Sequence, residues 1–113
     1  MRLPNPDIAY VDPKKLWGYL LSRSHPVGRF KASFFSMLGY TQDNWRLLEQ
    51  QLLEIARSGE AELEQETPYG TKYRIRATIK GPSGIDAELI TVWIVLAHEE
   101  PPRFVTAFPG GNR

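Results

Sequence analysis

The sequence has no cysteine, which excludes disulfide staples and thiolate metal sites and fits a reducing compartment. Its longest apolar run, Leu89 to Ala97, is nine residues and contains a threonine, too short to cross a bilayer as a helix. The opening Met-Arg-Leu-Pro-Asn-Pro-Asp lacks the apolar stretch of a secretory signal, so the cytoplasm is the expected location and no membrane partner is expected. Charge of one sign is not in excess either: 14 bases against 13 acids give a net +1, which argues against a dedicated nucleic-acid binder. With two histidines and no His-x-x-x-His or carboxylate cluster, no metal is expected. Gly81-Pro-Ser-Gly84 has the form of a hairpin turn, not of a strand-to-helix phosphate loop, so no nucleotide cofactor is expected. No serine stands in a Gly-x-Ser-x-Gly setting.

What is present is ample core material, 42% hydrophobic and 12% aromatic over 113 residues, enough for one domain spanning 1–113. The β-branched run Ile85 to Leu96 is the expected central strand. Residues 1–11, with two prolines, read as an extended arm; Leu3, Ile8, Tyr10 and Val11 are available to pack. Asp12-Pro13 is a helix start, since aspartate caps free amides and proline at the first helical position loses no hydrogen bond. A helix from about Pro13 to Leu21 has the stripe Leu16, Trp17, Leu20 and Leu21. A second, from about Arg29 to Leu38, carries Phe30, Phe34, Met37 and Leu38 and stops at Gly39. Thr41 caps a third, about Gln42 to Ser58, with Trp45, Leu48, Leu52 and Ile55 on one face.

From Glu60 the period becomes two. Strands are expected over 61–66, 71–80, 85–96 and 103–108, with a flexible tail over 109–113. Short connections make them an antiparallel meander. The fold class is therefore α+β, with three N-terminal helices packed on one face of a four-stranded antiparallel sheet. The covered face takes Leu63, Ile75, Ile79, Val92, Ile94 and Val105. The open one takes Lys72, Arg74, Arg76, Thr78, Thr91, Trp93, Phe104, Thr106 and Phe108. A phase slip implies a bulge near Leu89-Ile90, or burial on both faces there.

Cations, hydroxyls and aromatic rings on one face are the chemistry an RNA surface needs. A plainer reading is that the acids of Glu60 to Glu66 pair with the bases of Lys72 to Lys80. If Leu63 meets Ile75, then Glu66, Glu64 and Glu62 stand opposite Lys72, Arg74 and Arg76. His25, in the loop Ser22 to Gly28, is a candidate general acid or base, or simply a solvated side chain. Lys31 is a candidate phosphate cation, or a lysine lying along apolar surface. His98, beside Glu99 and Glu100, reads as exposed and non-catalytic.

The runs Val11-Asp-Pro-Lys-Lys-Leu-Trp-Gly-Tyr-Leu-Leu, Ser24-His-Pro-Val-Gly-Arg-Phe-Lys-Ala-Ser-Phe-Phe, Thr91-Val-Trp-Ile and Pro102-Arg-Phe-Val-Thr-Ala-Phe-Pro resemble those of a family of small uncharacterised bacterial domains. Its members stand alone, often beside a second small protein, or end larger polymorphic toxins, and their fold is similar to the barnase, EndoU, colicin and RelE-like ribonuclease group. The resemblance implies a metal-independent endoribonuclease that uses the RNA 2′-hydroxyl as nucleophile. It implies catalytic roles for His25, Lys31, Arg74 and Thr106. His25 would exchange protons, Lys31 and Arg74 would stabilise the phosphorane, and Thr106 would hold a phosphate oxygen. Arg76, Trp93, Arg103 and Phe104 would contact substrate. The implied partners are RNA and a small, adjacently encoded antitoxin-like protein. The alternative is a non-enzymatic protein-binding domain, or a homodimer joined through the open sheet face.

Overall fold

A computed structural model describes residues 1–111. The arm makes a 3₁₀ turn at Pro6–Ile8 and buries Leu3 and Val11, while Ile8 and Tyr10 stay half exposed. Tyr10 then bridges in parallel to Arg103. Helix α1 begins at Pro13–Lys15, with the Asp12 carboxylate accepting from the Lys14 amide at 3.0 Å, and widens into a π turn over Leu16–Leu20. The Leu21 amide donates to the Leu16 carbonyl, five residues back, at 2.8 Å. That extra residue lets Leu16, Leu20 and Leu21 all be buried, and it turns Trp17 outward, contrary to its expected place in the stripe.

Helix α2 spans Arg29–Leu38 and buries Ala32, Phe35 and Leu38. Phe30 and Met37, expected in the core, are exposed instead, because they lie on the opposite side of the helix from Phe35 and Leu38. Gly39 ends the helix at φ 101°, a left-handed conformation natural to glycine. A 3₁₀ turn over Gln42–Asn44 leads into α3, Trp45–Ser58. Thr41 and Asn44 cap the entry reciprocally.

Strands β1 (Ala61–Thr67), β2 (Gly70–Lys80), β3 (Asp86–Leu96) and β4 (Arg103–Pro109) form an antiparallel sheet in the order β1-β2-β3-β4. The α+β class, with helices first and a four-stranded antiparallel sheet after them, is as the sequence indicates.

The register differs from expectation in two places. Thr67 pairs with Gly70 across a two-residue turn in which the Thr67 hydroxyl accepts from the amides of Tyr69 and Gly70. That tight closure slides the first hairpin by one residue, and an irregularity between Leu63 and Gln65 slides it by one more. Glu62 consequently faces Arg74 rather than Arg76, Leu63 faces Tyr73, and Gln65 rather than Glu66 faces Lys72.

The second difference concerns the bulge. β3 runs unbroken against β2 from Asp86 to Leu96, so the expected slip at Leu89-Ile90 is absent. Of the two readings of the phase slip, burial on both faces is the one found, with Leu89, Thr91 and Trp93 buried on one face and Ile90 and Val92 on the other. The bulge lies in β4, where Trp93 faces Phe104 but Val92 faces Thr106, leaving Val105 as the extra residue. Without it, Phe104 and Thr106 would share a face. With it, Phe104 sits beside Trp93 and Thr106 points the opposite way.

The core takes Ala61, Ile75, Ile79, Leu89, Trp93, Phe104 and Ala107 from the sheet and joins them to Leu16, Leu20, Phe35, Leu38, Leu48 and Leu52. Trp93 and Phe104 are thus core residues and not surface ones. Their rings meet edge to face at 5.4 Å, and the Trp93 Nε1–H donates to the Thr91 hydroxyl at 2.9 Å. Thr91, also expected on the open face, is buried and donates to the Ile75 carbonyl. The other face carries Lys72, Arg74 and Arg76 on β2, Ile90, Val92 and Ile94 on β3, and Arg103, Thr106 and Phe108 on β4. Val92, Ile94 and Val105 therefore do not join the covered set assigned to them from the sequence. Of the expected tail, Pro109 ends β4 and the Gly110 amide donates to the Glu88 carbonyl; residues 112–113 lie outside the described residues.

Candidate functional site

Three neighbouring segments of the N-terminal half meet where Thr106, far away in the chain, projects from β4. Tyr19 comes from the π turn, Lys31 from the first turns of α2, and His25 from the loop between them. The Lys31 ammonium donates to Tyr19 Oη at 2.8 Å and to Thr106 Oγ1 at 2.8 Å, and the two hydroxyls are 3.1 Å apart. The same ammonium stands 5.1 Å from the Tyr19 ring centroid and 5.9 Å from that of Phe108. Tyr19, His25 and Thr106 line an open groove of about 570 Å³, with Asp12, Lys14, Lys15, Val27 and Val105 completing its walls. Lys31 stands at its edge.

The loop holds His25 firmly. The buried Ser22 hydroxyl accepts from the amides of Ser24 and His25, and the amides of Val27 and Gly28 both donate to His25 Nδ1 at 3.0 Å. The ring stands edge-on to Tyr19, with centroids 5.1 Å apart. Gly28 permits this closeness, since any side chain at that position would collide with the Tyr19 carbonyl.

Charge decides which cations are available. Arg74 is 3.7 Å from Glu62, Arg76 is 3.6 Å from Glu88, and Arg103 is 3.1 Å from Glu99. Arg76 also donates to the Gly110 carbonyl, and Arg103 lies over Tyr10. Lys31 is different: among the described residues no carboxylate comes within 4.0 Å of its ammonium, and its partners are neutral hydroxyls. A half-buried cation without a counter-ion leaves a positive potential that an incoming anion can neutralise.

Tyr19 registers that potential. Burial raises its phenol pKa, but hydrogen bonds with Lys31 and Thr106 and the charges of Lys31 and Lys15 outweigh this, so the net shift is downward. An ultraviolet titration is expected to show one phenol ionising below its fellows. That step should vanish in Tyr19→Phe and move to higher pH in Lys31→Met; a curve unchanged by Lys31→Met would show that the ammonium does not act on the phenol.

Of the residues marked in the sequence, the fold brings together His25, Lys31 and Thr106. Arg74 shares their sheet face but not their cluster. It sits in the row Arg74–Val92–Thr106, two strands from Thr106, or about 10 Å at the usual strand spacing. Arg76 lies in the neighbouring row with Ile90 and Phe108, and Arg103 opposite Ile94. Tyr19 is the member that sequence reasoning missed. No local signal marked it, since two adjacent leucines such as Leu20-Leu21 fit the stripe of an ordinary α-helix; the wide turn over Leu16–Leu20, which carries Tyr19, is seen only in the folded chain. Among the described residues no group of three or more His, Asp or Glu side chains is placed to hold a metal.

A search of curated proteins finds no match to this chain. Among solved structures, a chain of a contact-dependent growth inhibition toxin–immunity protein complex from Klebsiella pneumoniae 342 superposes with a TM-score of 0.71. The alignment covers 95% of this chain and 97% of that one at 22% identity, a likeness of fold. The model of the domain of unknown function DUF6883 matches residues 2–111, and the chain belongs to that family.

Proposed function

We propose that this is a toxin-type domain that cleaves RNA without a metal, with the Tyr19, His25, Lys31 and Thr106 groove as its active site. In this reading the helices cover one face of the sheet, and the other face, at its β4 edge, receives the substrate in the cytoplasm. The single observation that carries the proposal is the Lys31 ammonium, unpaired with any carboxylate among the described residues and fixed between two hydroxyls at the edge of a groove that also holds an oriented imidazole. Such a site offers charge for a phosphate and donors for its oxygens where the phosphorane forms. The RNA supplies its own nucleophile, the 2′-hydroxyl. The row Lys72, Arg74 and Arg76, on the same sheet face as Thr106, gives the backbone of the flanking nucleotides a cationic edge. Arg74 and Arg76 act there as phosphate contacts, in exchange for Glu62 and Glu88.

The solved relative belongs to a toxin–immunity complex, which favours a second role for the same surface. Val27, which lines the groove, and Phe30 on the first turn of α2 are both exposed, next in sequence to Arg29 and Lys31. We propose that a small acidic partner protein closes the site by covering them.

The test is a denaturing gel of total RNA and tRNA with purified protein in EDTA, beside His25→Ala and Arg74→Ala. Wild-type cleavage should persist in the chelator, fall by about 10²-fold or more in His25→Ala, and change only a few-fold in Arg74→Ala. Intact RNA with wild type, or equal cleavage in all three samples, would leave only the partner-binding role.

A further inference from the structure

Histidine is the residue most often given the proton-transfer role in a site of this kind. The hydrogen bonds of this loop place it elsewhere. A neutral imidazole has one donor nitrogen and one acceptor nitrogen. His25 Nδ1 is the acceptor, since two backbone amides converge on it at 3.0 Å, so the ring proton resides on Nε2. An Nε2 that already carries its proton has no lone pair with which to take one from a 2′-hydroxyl. It can donate a hydrogen bond to a phosphoryl oxygen. The amides of Val27 and Gly28 are fixed by the entry into α2, which makes the assignment a property of the backbone.

The group left with the right chemistry is Tyr19. Its oxygen faces the same groove, 2.8 Å from a cation that favours the phenolate and 3.1 Å from a hydroxyl able to donate to it. We infer that Tyr19 is the general base of this site and that His25 is a fixed Nε2–H donor to the phosphoryl oxygen; the inference rests on the RNA-cleaving reading above. In the step, the Tyr19 phenolate takes the proton of the 2′-hydroxyl as the 2′-oxygen bonds to phosphorus. The bond from phosphorus to the 5′-oxygen breaks, leaving a 2′,3′-cyclic phosphate. The departing 5′-oxygen takes a proton from water in the open groove. The hydroxide so formed removes the proton from Tyr19 and restores the phenolate, so protons balance over a turnover. No oxidant or reductant takes part.

The test is the pH dependence of RNA cleavage in EDTA for wild type, Tyr19→Phe, His25→Ala and protein carrying 3,5-difluorotyrosine at position 19, with melting curves to confirm folding. Fluorination acidifies the phenol with little change of shape. The wild-type rate should rise with pH along a limb set by Tyr19. Tyr19→Phe should lose that limb and about 10²–10⁴-fold in rate. Difluorotyrosine should keep activity and move the limb to lower pH. His25→Ala should lose about 10²–10³-fold at every pH and keep the limb where it was. A limb unmoved by fluorination, or one lost in His25→Ala and kept in Tyr19→Phe, would overturn the assignment while leaving RNA cleavage standing. Intact RNA with wild type at every pH would remove both.

Discussion

Trp93→Ala is expected to cost about 3–5 kcal/mol of folding stability, measured as a fall in the denaturant midpoint at unchanged slope. The side chain is 0% exposed and belongs to the cluster that joins the sheet to all three helices. Truncation removes its packing, its edge-to-face contact with Phe104 and its bond to the Thr91 hydroxyl together. Thr91 is then left buried with one partner fewer, a further cost of the same sign. Against the total of about 5–15 kcal/mol that holds a domain of this size, the loss is large enough to populate the unfolded state at ambient temperature. Trp17→Ala is the natural control, because 42% of that side chain is already in water and the expected change is about 0.5 kcal/mol. A Trp93→Ala protein with wild-type stability would place the ring on the surface and restore it as a substrate contact.

The Trp93 case also shows where the sequence stopped being readable. The three helices and all four strands follow from local signals: the Asp12 cap, Gly39, the Thr41 cap and the change of period at Glu60. Those signals are local because caps and alternation are set by neighbours in the chain. Facing is not local. Alternation along β3 is legible, but which phase meets the helices is ambiguous when Ile90 and Val92 are nearly as apolar as Leu89 and Trp93, and one bulged residue in β4 reverses the sense of everything before it. That single residue, Val105, separates Phe104 from Thr106, so of the three β4 residues expected on the open face Thr106 and Phe108 lie there and Phe104 does not. The ion pairs were legible in kind and not in partner: acids do meet bases across β1 and β2, but the tight turn at Thr67 to Gly70 and the irregularity at Glu64 choose Glu62 for Arg74 and leave Arg76 to Glu88. His25, Lys31 and Thr106 were each visible as residues. Their convergence needed the π turn, the glycine contact at Gly28 and the bulge, and Tyr19 entered the site through the first of these.

Lys31→Met is expected to reduce RNA cleavage by roughly 10³-fold while leaving the fold almost untouched. The two halves of that expectation have separate causes. Methionine keeps most of the stem that lies between Tyr19 and Phe108, and the Tyr19 and Thr106 hydroxyls, 3.1 Å apart, still satisfy each other, so stability should change by less than about 1 kcal/mol. In the proposed reaction the rate depends instead on the charge, which has no carboxylate to share it among the described residues. Arg74 and Arg76 cannot replace it: each is roughly half exposed, paired with a glutamate, and separated from Thr106 by β3. Exposed pairs of that kind are worth about 0–1 kcal/mol, so they yield to a phosphate but add little beyond binding. Lys31→Arg should recover only part of the rate, because the larger planar guanidinium spreads its charge and cannot occupy the compact position of the ammonium between Tyr19 and Thr106 without displacing them. Single-turnover cleavage of one defined RNA by the three proteins decides the matter. A folded Lys31→Met protein that cleaves as fast as wild type would move the phosphate away from this groove and toward the arginine row, where Arg74→Ala would then carry the large effect.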